Sequence, residues 1–285
     1  STQSRSSAAS DVYKRQGRGT HKMAEKKFPK DAMRVLKETS RTFYIPITFL
    51  EKELKHSVAC AYLVMRAIDE IEDHEEINND LKYSLLMQIS ELLNMPFDSE
   101  KYLKIISPVK DKLPEVSVRL GDWLAACPEH TRAIVRESSS EMAYGMAKWA
   151  KANWRIKSRE DLDDYTYYVA GLVGVMLSKL WDVCANVKTD RDLAIGYGRG
   201  LQAVNILRNE EEDLEERDVS FVPDDWTRED LFAYAEENLA KADEYMKAIN
   251  KRTILLFCRL PLAFAHKTLK AVSYTHLTLP TIYSV

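Results

Sequence analysis

From residue 31 onward, apolar positions recur every three or four residues, the spacing of one face of an α-helix. Leu54, Val58, Ala61, Tyr62, Met65, Ala67 and Ile68 form the broadest such surface and predict a helix over 51–76. The same pattern predicts helices over 81–94, 113–126, 130–152, 161–183, 190–215, 227–248 and 251–270. A shorter stretch holding Met33, Leu36, Phe43, Ile45 and Ile47 is interrupted by Pro46. Pro96, Pro108, Pro114, Pro128 and Pro223 mostly fall between the longer stretches, where a residue without an amide proton belongs. No convincing run alternates with period two, and no internal repeat is evident. The pattern predicts an all-α single domain, with helices packed around a central cavity.

Composition narrows the picture. Only 9 Gly and 9 Pro punctuate 285 residues, which favours long elements. A formal net charge of −3 gives no general electrostatic reason for a nucleic-acid partner. Cys60, Cys127, Cys184 and Cys258 are far apart with no C-x-x-C pair, which argues against a zinc site or disulfide framework and for a reducing, cytoplasmic setting. No run of uncharged apolar residues reaches the ~18 needed to span a bilayer. The apolar stretch 254–265 is broken by Arg259 and Pro261 and reads as a kinked core helix.

The two ends look foreign. Residues 6–16 match an in-frame translation of a common transposon adapter, and 272–281 match its opposite strand. Residues 1–22 and 272–285 are therefore expected to be adapter-derived, leaving 23–271 as a C-terminally truncated catalytic domain with Met23 a plausible start.

Two acidic clusters carry the chemistry. In A-Y-L-V-M-R-A-I-D-E-I-E-D-H (61–74), Tyr62, Arg66, Asp69 and Asp73 share one helical face, with Glu72 beside Asp69. In L-Q-A-V-N-I-L-R-N-E-E-E-D-L-E-E-R (201–217), Asn205, Asn209, Glu212 and Asp213 share a face, with Arg208 alongside. Either cluster alone can be read as a solvated helix end, the second more readily because Glu210, Glu211, Glu215 and Glu216 surround it. Both repeat one design, however: an apolar helix, an arginine, then carboxylates three to four residues apart. Carboxylates on an otherwise apolar helix are costly without a positive partner. Magnesium is typically held by one or two carboxylates plus substrate phosphates. Two facing helices of this kind would clamp a diphosphate through bridging ions, and Arg66 and Arg208 would add charge-assisted contacts.

Five segments in order, spanning about 30–271, resemble the squalene/phytoene synthase family: T-S-R-T-F (39–43), Y-L-V-M-R-A-I-D-E-I-E-D (62–73), Y-V-A-G-L-V-G (168–174), Q-A-V-N-I-L-R-N-E-E-E-D (202–213) and F-C-R-L-P (257–261). The third segment is nearest to the squalene synthase branch. The resemblance implies a magnesium-dependent prenyltransferase that joins two allylic diphosphates, farnesyl diphosphate favoured, with NADPH reduction if the product is squalene. Phytoene and dehydrosqualene synthases, which end without NADPH, and a non-catalytic assembly factor are the alternatives. By resemblance, Asp69, Glu72 and Asp73 would ligate magnesium on one wall and Asn209, Glu212 and Asp213 on the other. Arg41, Arg66, Arg208 and Arg217 would hold diphosphate. Tyr168 would sit by the reacting carbons, Phe43 and Phe257 would line the hydrocarbon pocket, and Ser40, Tyr62, Gln202 and Asn205 would add substrate contacts. Asn209 departs from the family, which usually places Asp there. Peripheral contact with a membrane surface is expected from a hydrocarbon product. G-Y-G-R-G (196–200) has Leu201 at the third glycine position of a nucleotide loop and a helical context, so it reads as helix. His74 reads as a solvated histidine at a helix end rather than a base.

Overall fold

The computed structural model describes residues 31–278, apart from the side chains of Arg41, Arg217 and 274–278. Among the described residues there is no strand, and the elements are helices throughout. Helix α1 covers 31–39 of this set, followed by α2 (Arg41–Thr48), α3 (Lys52–Glu72), α4 (Asn79–Leu93) and α5 (Ser99–Ile106). Next come α6 (Glu115–Val118), α7 (Leu120–Ala126), α8 (Glu129–Lys151) and α9 (Arg159–Thr166). After a π-helical turn (Tyr167–Gly171) the chain continues as α10 (Leu172–Ala185), α11 (Arg191–Arg217), α12 (Arg228–Lys247) and α13 (Arg252–Thr278).

The starts are written locally. Asn78, Asp98, Ser158 and Asp190 each accept a first-turn amide through the side chain, and Thr227 with Asp230 forms a capping box. Two predicted helices differ in detail. The 113–126 stretch is split at Arg119, and 161–183 is interrupted by the π turn. Helix α5 was not predicted, because it is a single short amphipathic segment with only Tyr102 and Ile106 buried.

Helix α3 is the central element. Ala59, Cys60, Ala61, Leu63, Val64, Ala67, Ile68 and Ile71 are all fully buried on it, and α6, α7, α8 and α10 pack around it. Helix α4 lies along α8, and α11 lies along α12. Close approach of α10 and the π turn to α11 depends on glycine. A Cβ on Gly174 would stand 2.1 Å from the Ala194 carbonyl oxygen, and one on Gly198 would stand 2.2 Å from that of Ala170. The glycines of G-Y-G-R-G are thus packing positions inside α11: Gly196 faces Lys241 and Gly200 faces Leu239, both on α12.

The continuous helical run Arg159–Ala185 is, by length and composition alone, apolar enough to cross a membrane. Its apolar residues have an internal use, since Val169, Ala170, Val173, Gly174, Met176 and Leu177 line the cavity described next.

Candidate active site

A cavity of about 440 Å³ lies between α2, α3, α8, the π turn with α10, α11 and α13. Helix α3 contributes Val58, Ala61, Tyr62, Met65, Arg66 and Asp69 to its wall, a progression from apolar to charged along one face. Helix α11 contributes Tyr197, Gly198, Leu201, Gln202 and Asn205, a progression from apolar to polar but uncharged. The opposite apolar side comes from Phe43 and Ile47 on α2, Met142 and Met146 on α8, and Phe257 on α13. Ser40, Phe43, Tyr62, Arg66, Asp69, Gln202, Asn205 and Phe257, drawn from distant parts of the sequence, are therefore brought to one cavity.

Each of these side chains is held by its element. Ser40 caps α2 by accepting the Phe43 amide at 3.0 Å. Tyr62 donates to the Thr39 carbonyl at 3.3 Å, and its ring lies 6.0 Å from that of Phe43. Phe257 is 3% exposed and meets Trp181 edge-on at 5.5 Å. Tyr197 donates to the Cys258 carbonyl at 2.6 Å, tying α11 to α13 beside the cavity. Burial pushes the phenols of Tyr62 and Tyr197 above their ordinary range, so both stay protonated donors.

At the charged end, one oxygen each from Asp69, Glu72 and Asp73 lies within 4.8 Å of the others. This is a hard, all-oxygen donor set of the kind magnesium takes. Arg66 Nη1 donates to Asp69 Oδ2 at 3.2 Å, and its other terminal nitrogen pairs with Glu70. Burial acts against the Arg66 charge, but Asp69 and Glu70 outweigh it and the guanidinium stays above its ordinary range. Arg66 Nε is buried without a hydrogen-bond partner, an unmet donor beside the cavity. Glu72 is 3% exposed and accepts from Trp154 Nε1 at 2.6 Å. That partner was not anticipated from the sequence: it lies on another element, and no local spacing signals it.

The second acidic segment is placed differently. Asn209, Glu212 and Asp213 continue the Gln202/Asn205 face of α11 by helical spacing. Glu212 is exposed, Asp213 and Asn209 are half-buried, and none of the three is on the cavity wall. Arg208 is exposed and donates from Nε to Asn209 Oδ1 at 3.2 Å. A wider, polar cleft of about 1100 Å³ is lined by Asp73 and Trp154 together with Glu210 and Glu216 of α11, so the two acidic segments do share a cleft. The side chains of Arg41 and Arg217 lie outside the described set.

Tyr168 is not on the wall of this cavity. It lies in the π turn that precedes α10. Val169 and Ala170 take the wall, and Tyr168 packs on α8 instead, so close that a Cβ on Gly145 would stand 2.0 Å from its Cγ. Its ring lies 6.1 Å from Tyr144 and 5.3 Å from Tyr167. His74 has both ring nitrogens engaged: Nε2 lies 3.1 Å from the Lys112 carbonyl, and Nδ1 accepts the Glu76 amide at 3.2 Å.

A family model described as squalene/phytoene synthase matches residues 36–231. Squalene synthase of Rattus norvegicus is 26% identical over 275 residues, covering 87% of this chain and 64% of the relative. Squalene synthase of Dictyostelium discoideum is 28% identical over 268 residues, covering 83% and 62%. Botryococcus squalene synthase of Botryococcus braunii is 31% identical over 208 residues, covering 71% and 43%. The chain thus spans less than two thirds of the length of these relatives. Among solved structures, a complex of TcSQS with the ligand E5700 superposes with a TM-score of 0.69 at 22% identity, covering 84% of this chain and 78% of that one. A ligand complex of a dehydrosqualene synthase superposes with a TM-score of 0.57 at 23% identity, covering 88% and 85%. These two likenesses are of fold.

Proposed function

This chain belongs to the squalene/phytoene synthase family, and on that premise we propose that it joins two allylic prenyl diphosphates head to head, farnesyl diphosphate being the favoured substrate. One observation carries the reading: Arg66 and Asp69 share a cavity with Phe43, Ile47 and Phe257, so a charged mouth opens onto an apolar interior. An allylic diphosphate has the same division, an anionic head and a hydrocarbon tail.

In this reading Asp69, Glu72 and Asp73 hold magnesium on α3, and Asn209, Glu212 and Asp213 offer ligands on α11. Magnesium, when bound, supplies the positive charge that makes diphosphate a competent leaving group. Arg66 turns from Asp69 and Glu70 to the diphosphate oxygens, and Arg41, Arg208 and Arg217 add charge-assisted contacts. The C–O bond breaks with its electron pair leaving on diphosphate. Phe43 and Phe257 then face the allylic cation, which their ring quadrupoles stabilise. The apolar wall keeps water from that cation until the double bond of the second substrate attacks it. Gln202 and Asn205 sit where the polar and apolar parts of the wall meet and orient the head group.

The squalene ending, with hydride from NADPH, is proposed from the likeness to squalene synthases. The glycines of 196–200 are packed within α11 and do not form a phosphate-cradling loop. The described cysteines are all free thiols, in keeping with a reducing, cytoplasmic setting, and a hydrocarbon product favours peripheral contact with a membrane.

Product analysis tests the reading. The purified chain is incubated with farnesyl or geranylgeranyl diphosphate, with and without NADPH, and the hydrocarbons are identified. Squalene that requires NADPH is the expected result. Dehydrosqualene without NADPH, or phytoene from the longer substrate, would replace the squalene ending. Asp69→Asn is expected to lower kcat by about 100-fold or more; near-normal turnover would remove Asp69 from the magnesium site.

A further inference from the structure

Helix α13 buries one face and leaves the other to solvent. Ile254, Cys258, Leu262, Ala265 and Leu269 are buried at steps of three or four residues, and the period runs unbroken through Pro261. The outward face of such a helix is ordinarily polar. Here Leu256 and Phe264 are exposed on it, with Leu260 half-buried between them at the i, i+4, i+8 spacing of a single stripe. Helix α2, which packs against α13, repeats the feature: Ile45 and the C-cap residue Phe49 are both exposed. Of the nine large apolar side chains exposed among the described residues, four lie on these two helices. Single exposed apolar residues are ordinary, whereas a concentration of them marks a surface that meets something.

The charge on α13 has one sign. Arg252, Arg259, Lys267 and Lys270 are all exposed, and the sequence from Arg252 to Thr278 holds no Asp or Glu, in a chain whose formal net charge is −3. By helical spacing Arg252, Arg259 and Lys270 form a ridge along one edge of the apolar stripe, and Lys267 sits within the stripe. His266, on the same edge as the ridge, is met by Asp243 of α12 at 3.5 Å. The sequence of α2 holds no acidic residue either. An apolar stripe edged with cations suits a helix that lies in a bilayer interface, with its apolar side chains among the acyl chains and its cations at anionic headgroups. A second copy of the same face would bring like charges together, which disfavours self-association.

The inner faces of these helices line the cavity, through Phe43 and Ile47 of α2 and Phe257 of α13. A bilayer on the outer face would therefore lie one helix diameter, about 10 Å, from the apolar interior. We propose that the outer face of α2 and α13 is a docking surface for an anionic phospholipid bilayer, with Ile45, Leu256 and Phe264 inserted and Arg259 and Lys270 on lipid phosphates. This assigns a surface to the peripheral membrane contact put forward above and rests on that reading.

The test is cosedimentation of the whole chain with vesicles of phosphatidylcholine, alone or mixed with phosphatidylserine. Binding to the mixed vesicles that weakens as salt rises is the expected result. Phe264→Ser is expected to weaken that binding about 10-fold, and Arg259→Glu combined with Lys270→Glu to abolish the preference for phosphatidylserine. Val183→Ser, which removes an equally exposed apolar side chain from α10, should bind as the parent does. Helical circular dichroism and product formation from farnesyl diphosphate in detergent should match the parent in every variant. Should Phe264→Ser misfold, Leu256→Ser carries the same test. A parent that binds neither vesicle overturns the docking surface, as does binding by the serine variant within twofold of the parent. A parent that is dimeric by light scattering, monomeric as Phe264→Ser and unbound to vesicles would overturn it too and give the face to a second copy. Vesicle binding with the expected dependence but no product from any prenyl diphosphate would overturn the synthase reading and leave the surface standing; product without vesicle binding would do the reverse.

Discussion

Asn209 illustrates how much one side chain can shift the charge of a site. It stands where the family usually has Asp, half-buried on the face of α11 that continues from the cavity, and accepts a hydrogen bond from Arg208. An amide oxygen can ligate magnesium but brings no charge, so the α11 side carries one negative charge fewer. Asn209→Asp is expected to lower the Mg²⁺ concentration for half-maximal activity several-fold. A superimposable magnesium titration would exclude Asn209 as a ligand. Tyr168 was placed by resemblance alone; in the π turn that holds it, Val169 and Ala170 line the cavity. The Glu72–Trp154 hydrogen bond could not be read from sequence, because the two residues meet only through a left-handed turn that ends another helix.

At the scale of elements, helix positions were legible because the cost of exposing apolar residues imposes a 3.6-residue period wherever one face is buried. The period says nothing of the distance between axes. That distance depends on what the facing surfaces omit, and Gly174 and Gly198 omit a side chain where two backbones nearly touch. Gly198→Ala would force α11 away from the π turn and is expected to cost about 1–3 kcal/mol, measured as a lower midpoint in denaturant unfolding. An unchanged midpoint would mean that the helices can separate freely. Because Gly198 itself lines the cavity, the same substitution should also weaken substrate binding.

Across the whole molecule, α1 is tied to α6 and α7 by a charged network. Arg119 pairs with Asp31, with Glu115 at 2.9 Å and with Asp122 at 2.8 Å, and Arg34 reaches Glu115 at 2.8 Å. The guanidinium hydrogen bonds hold Asp31 (Arg119, then Arg34) and Glu115 (Arg34, then Arg119) below the ordinary carboxylate range. A depressed folded-state pKa stabilises the fold above the unfolded value, about pH 4, and that stabilisation is lost as pH falls through the folded value. Arg119→Ala should therefore lower Tm at pH 7, with a smaller difference from the parent at pH 3. Equal differences at both pH values would assign the effect to the stacking of Arg119 on Trp123, whose ring centroid is 4.5 Å away.

By itself, the sequence determined the all-helical character, the ends of most helices and the family, since these rest on local periodicity, caps and short motifs that keep their meaning in isolation. It also placed Arg66 and Asp69 on one face and Asn205 with Asn209 on another. Tertiary structure decided which faces meet, how closely, and which partner each buried charge receives. Those outcomes come from packing between segments distant along the chain, as when Phe43, Asp69, Asn205 and Phe257 arrive at one cavity or Trp154 reaches Glu72.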